Sequence, residues 1–224
     1  MTTTSTSGKP ARIAVVDDHG IVRFGYAQLI NQEPTLEVCG MASTEQEGLQ
    51  MLREQQPDLA IIDLSLDEGD GLDLIKSAMS INPEIKILVI SAHDENLYAH
   101  RVLAAGALGF INKRRAPEKL IDGIQAILRG NFFFSEEVTK TLIRGRVGNH
   151  RTLAPVGIDS LTNRELQVLE HVGKGQCTRQ IADAMYLSAK TIERHKENIK
   201  QKLGIENATQ LVQRATQWVL GRGF

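Results

Sequence analysis

Cysteine is nearly absent: the chain of 224 residues holds two, Cys39 and Cys177, far apart and outside any CxxC pair. That spacing encodes neither a disulfide framework nor a thiolate zinc site, and both residues read as small buried hydrophobes. Long apolar runs are missing as well; nothing approaches the roughly 18 residues that a membrane-spanning helix needs. The opening MTTTSTSGKP lacks an apolar core and a cleavage signal, so residues 1–10 read as a disordered tail and the expected location is the cytoplasm. No internal repeat is visible. An excess of one charge sign is lacking too, the formal net charge being −1.

That small net charge conceals an asymmetry. Residues 1–137 hold 20 acidic and 12 basic groups, and residues 138–157 hold Lys140, Arg144, Arg146 and Arg151 with no acid. Residues 158–224 hold 10 basic and 7 acidic groups. An acidic half joined to a basic half points to two domains, of which only the second meets nucleic acid.

The halves also differ in rhythm. In the first, RIAVVDD, LEVCGM, DLAIIDL, IKILVIS and ALGFINK are nearly continuous apolar runs separated by amphipathic segments, the pattern of parallel strands covered by helices on both faces. A doubly wound α/β fold with a five-stranded parallel sheet is expected over residues 11–130. The stretch RGNFFFSEEVTKTLIRGRVGNHRTLAPVG loses strand rhythm, so residues 131–157 read as a linker with room for one short helix. Residues 158–224 show only helical patterns, starting at the capped LTNRE, and are expected to form a small all-α bundle of four helices.

In parallel α/β sheets ligands bind beyond the carboxyl ends of the strands, so the residues that end each strand matter most. Here they converge: Asp17 and Asp18 end the first strand, Asp63 the third and Ser91 the fourth, and Lys113 follows the fifth. Three carboxylates within about 4 Å of one another repel by roughly 4 kcal/mol per pair at an effective dielectric near 20. The rim therefore needs protonation or a hard divalent cation, and Mg2+ suits carboxylates that leave room for water and phosphate oxygens. With Lys113 beside it, an ionised Asp63 is a nucleophile for an incoming phosphoryl group, and Ser91 can donate to the new oxygens. Each acid taken singly also fits a helix N-cap; it is the five endings together that favour a site. His19, next to the acid pair, reads as structural.

VVDDH at 15–19, DLSLDEGDG at 63–71, VISA at 89–92 and GFINK at 109–113 resemble the receiver domain of two-component response regulators, which has a flavodoxin-like fold. The resemblance implies that Asp63 accepts a phosphoryl group from a histidine kinase. It implies that Asp17, Asp18, Asp63 and the backbone carbonyl of Ser65 hold Mg2+, and that Ser91, Lys113 and Phe110 form the phosphate-sensing switch. Ser65 and His93 fall where such domains tune dephosphorylation, and kinase choice is expected on the first helix around Val22, Arg23 and Tyr26. Two departures stand out: Asp67 and Arg114 replace residues that are commonly Pro, and Arg114 disfavours a cis peptide after Lys113.

LTNRELQVLEHVGKGQCTRQIADAMYLSAKTIERHKENIKQKLGI resembles the helix-turn-helix of the LuxR family, in the NarL/FixJ group of regulators. At 100° per residue, Ile192, His195, Ile199 and Leu203 share a face that must point into the bundle. The opposite face carries Lys190, Glu193, Arg194 and Glu197, which are the base-reading candidates: Lys and Arg can donate to guanine, Glu can accept from cytosine N4. Thr178, Arg179, Thr191, Lys196 and Lys200 are candidates for gripping phosphates. The last helix, with Leu211, Val212, Ala215, Trp218 and Val219, fits either core packing or the pairing of two DNA-binding domains that the resemblance implies.

The expectation is a phosphorylation-controlled transcription regulator, not an enzyme beyond any catalysis of its own dephosphorylation. Its partners would be a histidine kinase, double-stranded DNA, RNA polymerase and a second copy of the chain, with no membrane. Two rivals remain at this point: a phosphorylation-independent DNA-binding regulator, and a Mg2+-dependent phosphatase with an Asp nucleophile. The latter usually carries DxD after its first strand, whereas here the acids are adjacent.

Overall fold

The computed structural model describes residues 9–66, 69–147 and 157–221. Residues 1–8 of the expected tail, Asp67 and Arg151 lie outside the described residues. The chain divides into two compact units, one ending at Gly148 and the other starting at Asn149.

The first unit is one sheet of five strands: β1 (Ala11–Val16), β2 (Leu36–Ala42), β3 (Leu59–Ile62), β4 (Lys86–Ser91) and β5 (Gly109–Asn112). All pairings are parallel and the order is β2-β1-β3-β4-β5. Continuous apolar runs make these strands for a physical reason: β3 reads LAII and all four residues are buried, because helices cover both faces. α1 (Gly20–Asn31) and α5 (Ala116–Leu128) pack on one face, α2 (Glu45–Gln55), α3 (Gly71–Ile81) and α4 (Glu95–Ala105) on the other. Under α1 and α5, Ile13, Val15, Leu59, Ile61, Leu88 and Ile90 meet Tyr26, Ile30, Leu120 and Ile124 in one core cluster. Each such side chain contributes about 1.5–3 kcal/mol on leaving water.

Local chemistry sets the helix starts. Thr44, Asp70 and Asp94 cap α2, α3 and α4 by accepting from backbone N–H groups in the first turn, and Pro117 occupies the first turn of α5, where its missing N–H costs nothing. Among the described residues no peptide bond is cis, which agrees with Arg114 following Lys113.

The segment read as a linker begins as part of this unit. Phe133 forms a parallel bridge with Gly109 at the outer edge of β5, and a 12-residue helix, α6 (Glu136–Val147), packs against α4. A single bridging residue leaves no alternation in the sequence, which is why strand rhythm gave no warning of it.

The second unit comprises α7 (Asn163–Gly173), α8 (Thr178–Ala184), α9 (Ala189–Leu203) and α10 (Ala208–Leu220). Thr162 and Glu165 form a reciprocal capping box at α7, and Ser188 caps α9 by accepting from Thr191 N–H at 3.1 Å. Leu166, Leu169, Ile181, Ile192, Ile199, Leu211 and Ala215 fill the core. Gly173 lets α7 approach α10 closely: a Cβ there would lie 2.5 Å from the Ala215 carbonyl oxygen. Among the described residues no helix is long and apolar enough to cross a membrane.

The cysteines correct the sequence reading. Cys177 is exposed and Cys39 only half-buried. Cys177 stands at the N-cap of α8, outside the core, and Cys39 is the residue skipped where β2 bulges against β1.

Candidate functional site

Register brings the acids together. Val16 lies opposite Ile62 and Asp63 N–H donates to the Val16 carbonyl at 2.8 Å, so the next residue of each strand, Asp17 and Asp63, leaves the sheet at the same edge. Ser91 ends β4 opposite Asn112, which places Lys113 at that edge as well. Lys113 Nζ lies 2.7 Å from Asp17 Oδ2 and 2.7 Å from Asp63 Oδ2. Gly71 holds α3 against this point: a Cβ there would fall 2.1 Å from the Asp63 carbonyl oxygen.

Asp17 and Asp63 are each 2% exposed and Ser91 is fully buried. Burial pushes the Asp63 carboxyl up; Lys113 opposes this and the charge of Asp17 adds to it, leaving a raised pKa. Burial pulls the Lys113 ammonium down, but the charges of Asp63 and Asp17 outweigh it and the net direction is up. Burial, then the field of Asp17, pushes the nearby Tyr26 phenol up to about 12. Among the described residues, Asp17 Oδ2, despite its ion pair with Lys113, accepts no well-directed hydrogen bond. One lysine is thus spread over more negative charge than it neutralises.

The donor set fits a hard cation. Ligand atoms of Asp17, Asp18, His19 and Asp63 all lie within 4.8 Å of one another, a separation that a divalent ion with metal–oxygen distances of roughly 2.0–2.6 Å can bridge. Ser65 follows, its N–H donating to Asp63 Oδ1 at 3.2 Å, and Phe110 is buried on β5.

The basic candidates occupy one face of α9 and the start of α8. Lys190, Glu193, Arg194 and Glu197 are all exposed. Glu193 accepts from the Thr178 hydroxyl and lies 3.4 Å from Lys196 Nζ. The Thr178 hydrogen bond, opposed by partial burial and aided by Lys196, holds the Glu193 carboxyl below its ordinary range. Glu197 pairs with Lys200 at 2.7 Å. Both acids proposed for base reading are therefore engaged by lysines proposed for phosphates. Among the described residues, Lys190 and Arg194 have no ion-pair partner. Arg179 is exposed on α8, and the Thr191 hydroxyl hydrogen-bonds with that of Ser188 at 2.8 Å. His195 faces inward, and burial holds its pKa down. On α10, Leu211 and Ala215 are buried, whereas Val212 and Leu220 are 48% and 61% exposed.

Comparison with known proteins finds a family for each of the two units. Residues 13–125 match the response regulator receiver domain, and residues 159–215 match the bacterial regulatory proteins of the luxR family. The oxygen regulatory protein NreC of Staphylococcus carnosus is 33% identical over 210 residues, which is 91% of this chain and 96% of that protein. The chain is a response regulator. The Fimbriae Z protein of Salmonella typhimurium is 33% identical over 206 residues, covering 91% of this response regulator and 95% of that protein. Among solved structures, RcsB from Salmonella enterica serovar Typhimurium, bound to promoter rprA in the presence of phosphomimetic BeF3-, is similar with a TM-score of 0.60. It has 26% identity and covers 93% of this chain and 99% of that one.

Three features of the response regulator escaped the sequence reading. His19 is 64% exposed at its side chain, with its ring against the Asp18 carboxylate, and belongs to the donor cluster. Arg23 is committed to the Asp17 carbonyl, and Tyr26 is buried, so neither is a free surface residue of α1. The exposed large apolar side chains there are Ile21 and Phe24. The spacing of Val22, Tyr26 and Ile30 carried that signal, since residues four apart share the core face.

Proposed function

We propose that this response regulator is switched by phosphorylation of Asp63 and acts by binding DNA through α8 and α9. An Asp63 carboxylate oxygen attacks the phosphorus of a phosphohistidine on a histidine kinase. The phosphorus–nitrogen bond breaks and its electron pair stays with the departing imidazole. Asp17, Asp18, Asp63 and the Ser65 carbonyl would hold Mg2+, which when bound neutralises charge on the transferring oxygens. Lys113 stands ready to pair with the phosphoryl group, and Ser91, turning inward, donates to it and carries the change to Phe110 and the α4-β5-α5 side. Hydrolysis of the aspartyl phosphate in the same pocket would reset the protein. The observation that carries this reading is Lys113 Nζ lying 2.7 Å from both Asp17 and Asp63 at the carboxyl edge of a parallel sheet. Labelling with a radioactive phosphodonor and Mg2+ tests it: Asp63→Asn should take no label, and full labelling of that variant would remove Asp63 from the role.

In the second unit, Lys190 and Arg194 donate to guanine edges. Glu193 and Glu197 accept from cytosine when their lysines turn to the backbone, and Thr178, Arg179, Thr191, Lys196 and Lys200 hold phosphates. Val212 and Leu220 offer an apolar strip for a second copy, so that two units occupy half-sites about one helical turn apart. RcsB, described on a promoter with a phosphomimetic, supports this reading by likeness. Work at a promoter in the cytoplasm would bring RNA polymerase into contact.

A further inference from the structure

The start of the linker segment is held by the receiver at two points. Phe133 donates its N–H to the Leu108 carbonyl at 2.9 Å, and its own carbonyl accepts from Phe110 N–H at 2.8 Å. Its side chain rests over Gly109 and Gly123, where an added Cβ would lie 3.1 Å and 3.2 Å from Phe133 side-chain atoms. Two residues on, Ser135 N–H donates to Glu95 Oε1 at 2.7 Å. Ser135 in turn starts α6, its hydroxyl accepting from Val138 N–H at 3.3 Å and its carbonyl from Thr139 N–H at 2.9 Å. Glu95 is the first residue of α4. One carboxylate therefore joins the N-terminal turns of two helices.

The same turn of α4 is tied to the phosphoacceptor loops through His93. Its N–H donates to Ser91 Oγ at 3.4 Å, and its carbonyl accepts from Asn112 Nδ2 at 3.3 Å. The ring Nε2 shares a hydrogen bond with Ser65 Oγ at 2.9 Å, and the ring stacks on Tyr98 of α4 with centroids 4.6 Å apart. Movement of Ser91 toward a phosphoryl group takes away the oxygen that His93 N–H uses. His93 then carries Tyr98, and with it the start of α4.

We propose that Glu95 transmits the state of Asp63 to the linker helix α6, through the chain Ser91, His93, Tyr98, Glu95 and Ser135. The proposal rests on the phosphoacceptor reading of Asp63. A carboxylate accepting a backbone N–H at a helix start is a strong, charge-assisted contact that also faces the positive end of the helix dipole. Displacing it leaves α6 with Ser135 alone as its cap, so the helix that leads to the DNA-binding unit loosens at its first turn.

Amide hydrogen exchange over residues 136–142 of the full chain tests this, with and without a small acyl phosphate plus Mg2+, and with phosphoryl content measured on the same samples. Exchange in the wild type should rise about tenfold on phosphorylation, the weight of one hydrogen bond to a charged group. Glu95→Ala should take up phosphate to the wild-type extent, yet start about tenfold faster in α6 and show no response. Glu95→Gln, which keeps an acceptor oxygen, should respond as the wild type does. Phosphorylated wild type with unchanged exchange in α6, or a Glu95→Ala variant that responds fully, overturns the relay and leaves the acceptor intact. A wild type that takes no phosphoryl group overturns the acceptor reading itself, and the relay loses its input.

Discussion

Asp63 sits in a pocket that raises its pKa, because burial and Asp17 outweigh the help it receives from Lys113. A carboxyl whose pKa is raised by folding stabilises the fold at low pH and costs stability as pH rises through the raised value. In the absence of divalent ions, the melting temperature of the first unit should therefore fall between acid and neutral pH. Mg2+ should restore it, and Asp63→Asn should flatten the slope; melting curves with and without Mg2+ decide this. Lys113→Met removes the only counter-charge within ion-pair distance of Asp17 Oδ2 and Asp63 Oδ2 among the described residues. Breaking a buried pair from one side costs about 3–5 kcal/mol, so denaturant unfolding without metal should show a loss of that order and a larger gain on adding Mg2+ than the wild type shows. The residue types of this pocket were legible in the sequence, since acids and a lysine end apolar runs. The engagement of His19 with Asp18 was not, because a ring orientation leaves no periodic trace.

Helix α7 starts with a capping box whose acid serves a second purpose. Glu165 Oε2 accepts from Thr162 N–H at 2.8 Å and from Lys202 Nζ of α9 at 2.7 Å. Burial pushes Glu165 up, but the hydrogen bonds from Lys202 and Thr162 more than offset it, and its pKa ends below the ordinary glutamate value. The sign follows: this contribution is complete above the unfolded value and fades as pH falls through the lower folded one. Glu165→Gln should cost about 1–2 kcal/mol at neutral pH and flatten the acid side of the second unit's unfolding profile, read by circular dichroism. On α9, Arg194→Ala should relax base preference at one position by roughly 1–3 kcal/mol. Arg179→Ala should weaken all sequences alike, as binding to a randomised DNA pool would report. Thr162, Glu165 and Ser188 could be recognised as caps from sequence spacing alone. The tie between Thr178 and Glu193 could not, because it joins two helices whose relative placement no linear pattern states.

Charge is divided between the units, with the acidic residues concentrated in the receiver and the basic surplus after residue 137. Three of the phosphate candidates are cations, Arg179, Lys196 and Lys200, so each copy should release counterions with a log–log salt slope of roughly −2.7, and a pair roughly −5. Titrating DNA affinity against salt, with phosphorylated and unphosphorylated protein, measures both the number of copies and the switch. A slope that stays at the single-copy value in both states would remove the paired arrangement. The five parallel strands and the helical second unit followed from hydrophobic rhythm, whereas the docking of residues 133–136 on the receiver depended on two glycines, one phenylalanine and the Glu95 carboxylate.

That docking has a consequence for the protein at high concentration. A terminal strand with unused amide and carbonyl groups is a template on which other chains can stack. At β5 the Leu108 carbonyl and the Phe110 N–H are consumed by Phe133, so cross-β growth is hindered at that end of the sheet, and a Phe133→Pro substitution should make the response regulator more prone to ordered aggregation from it.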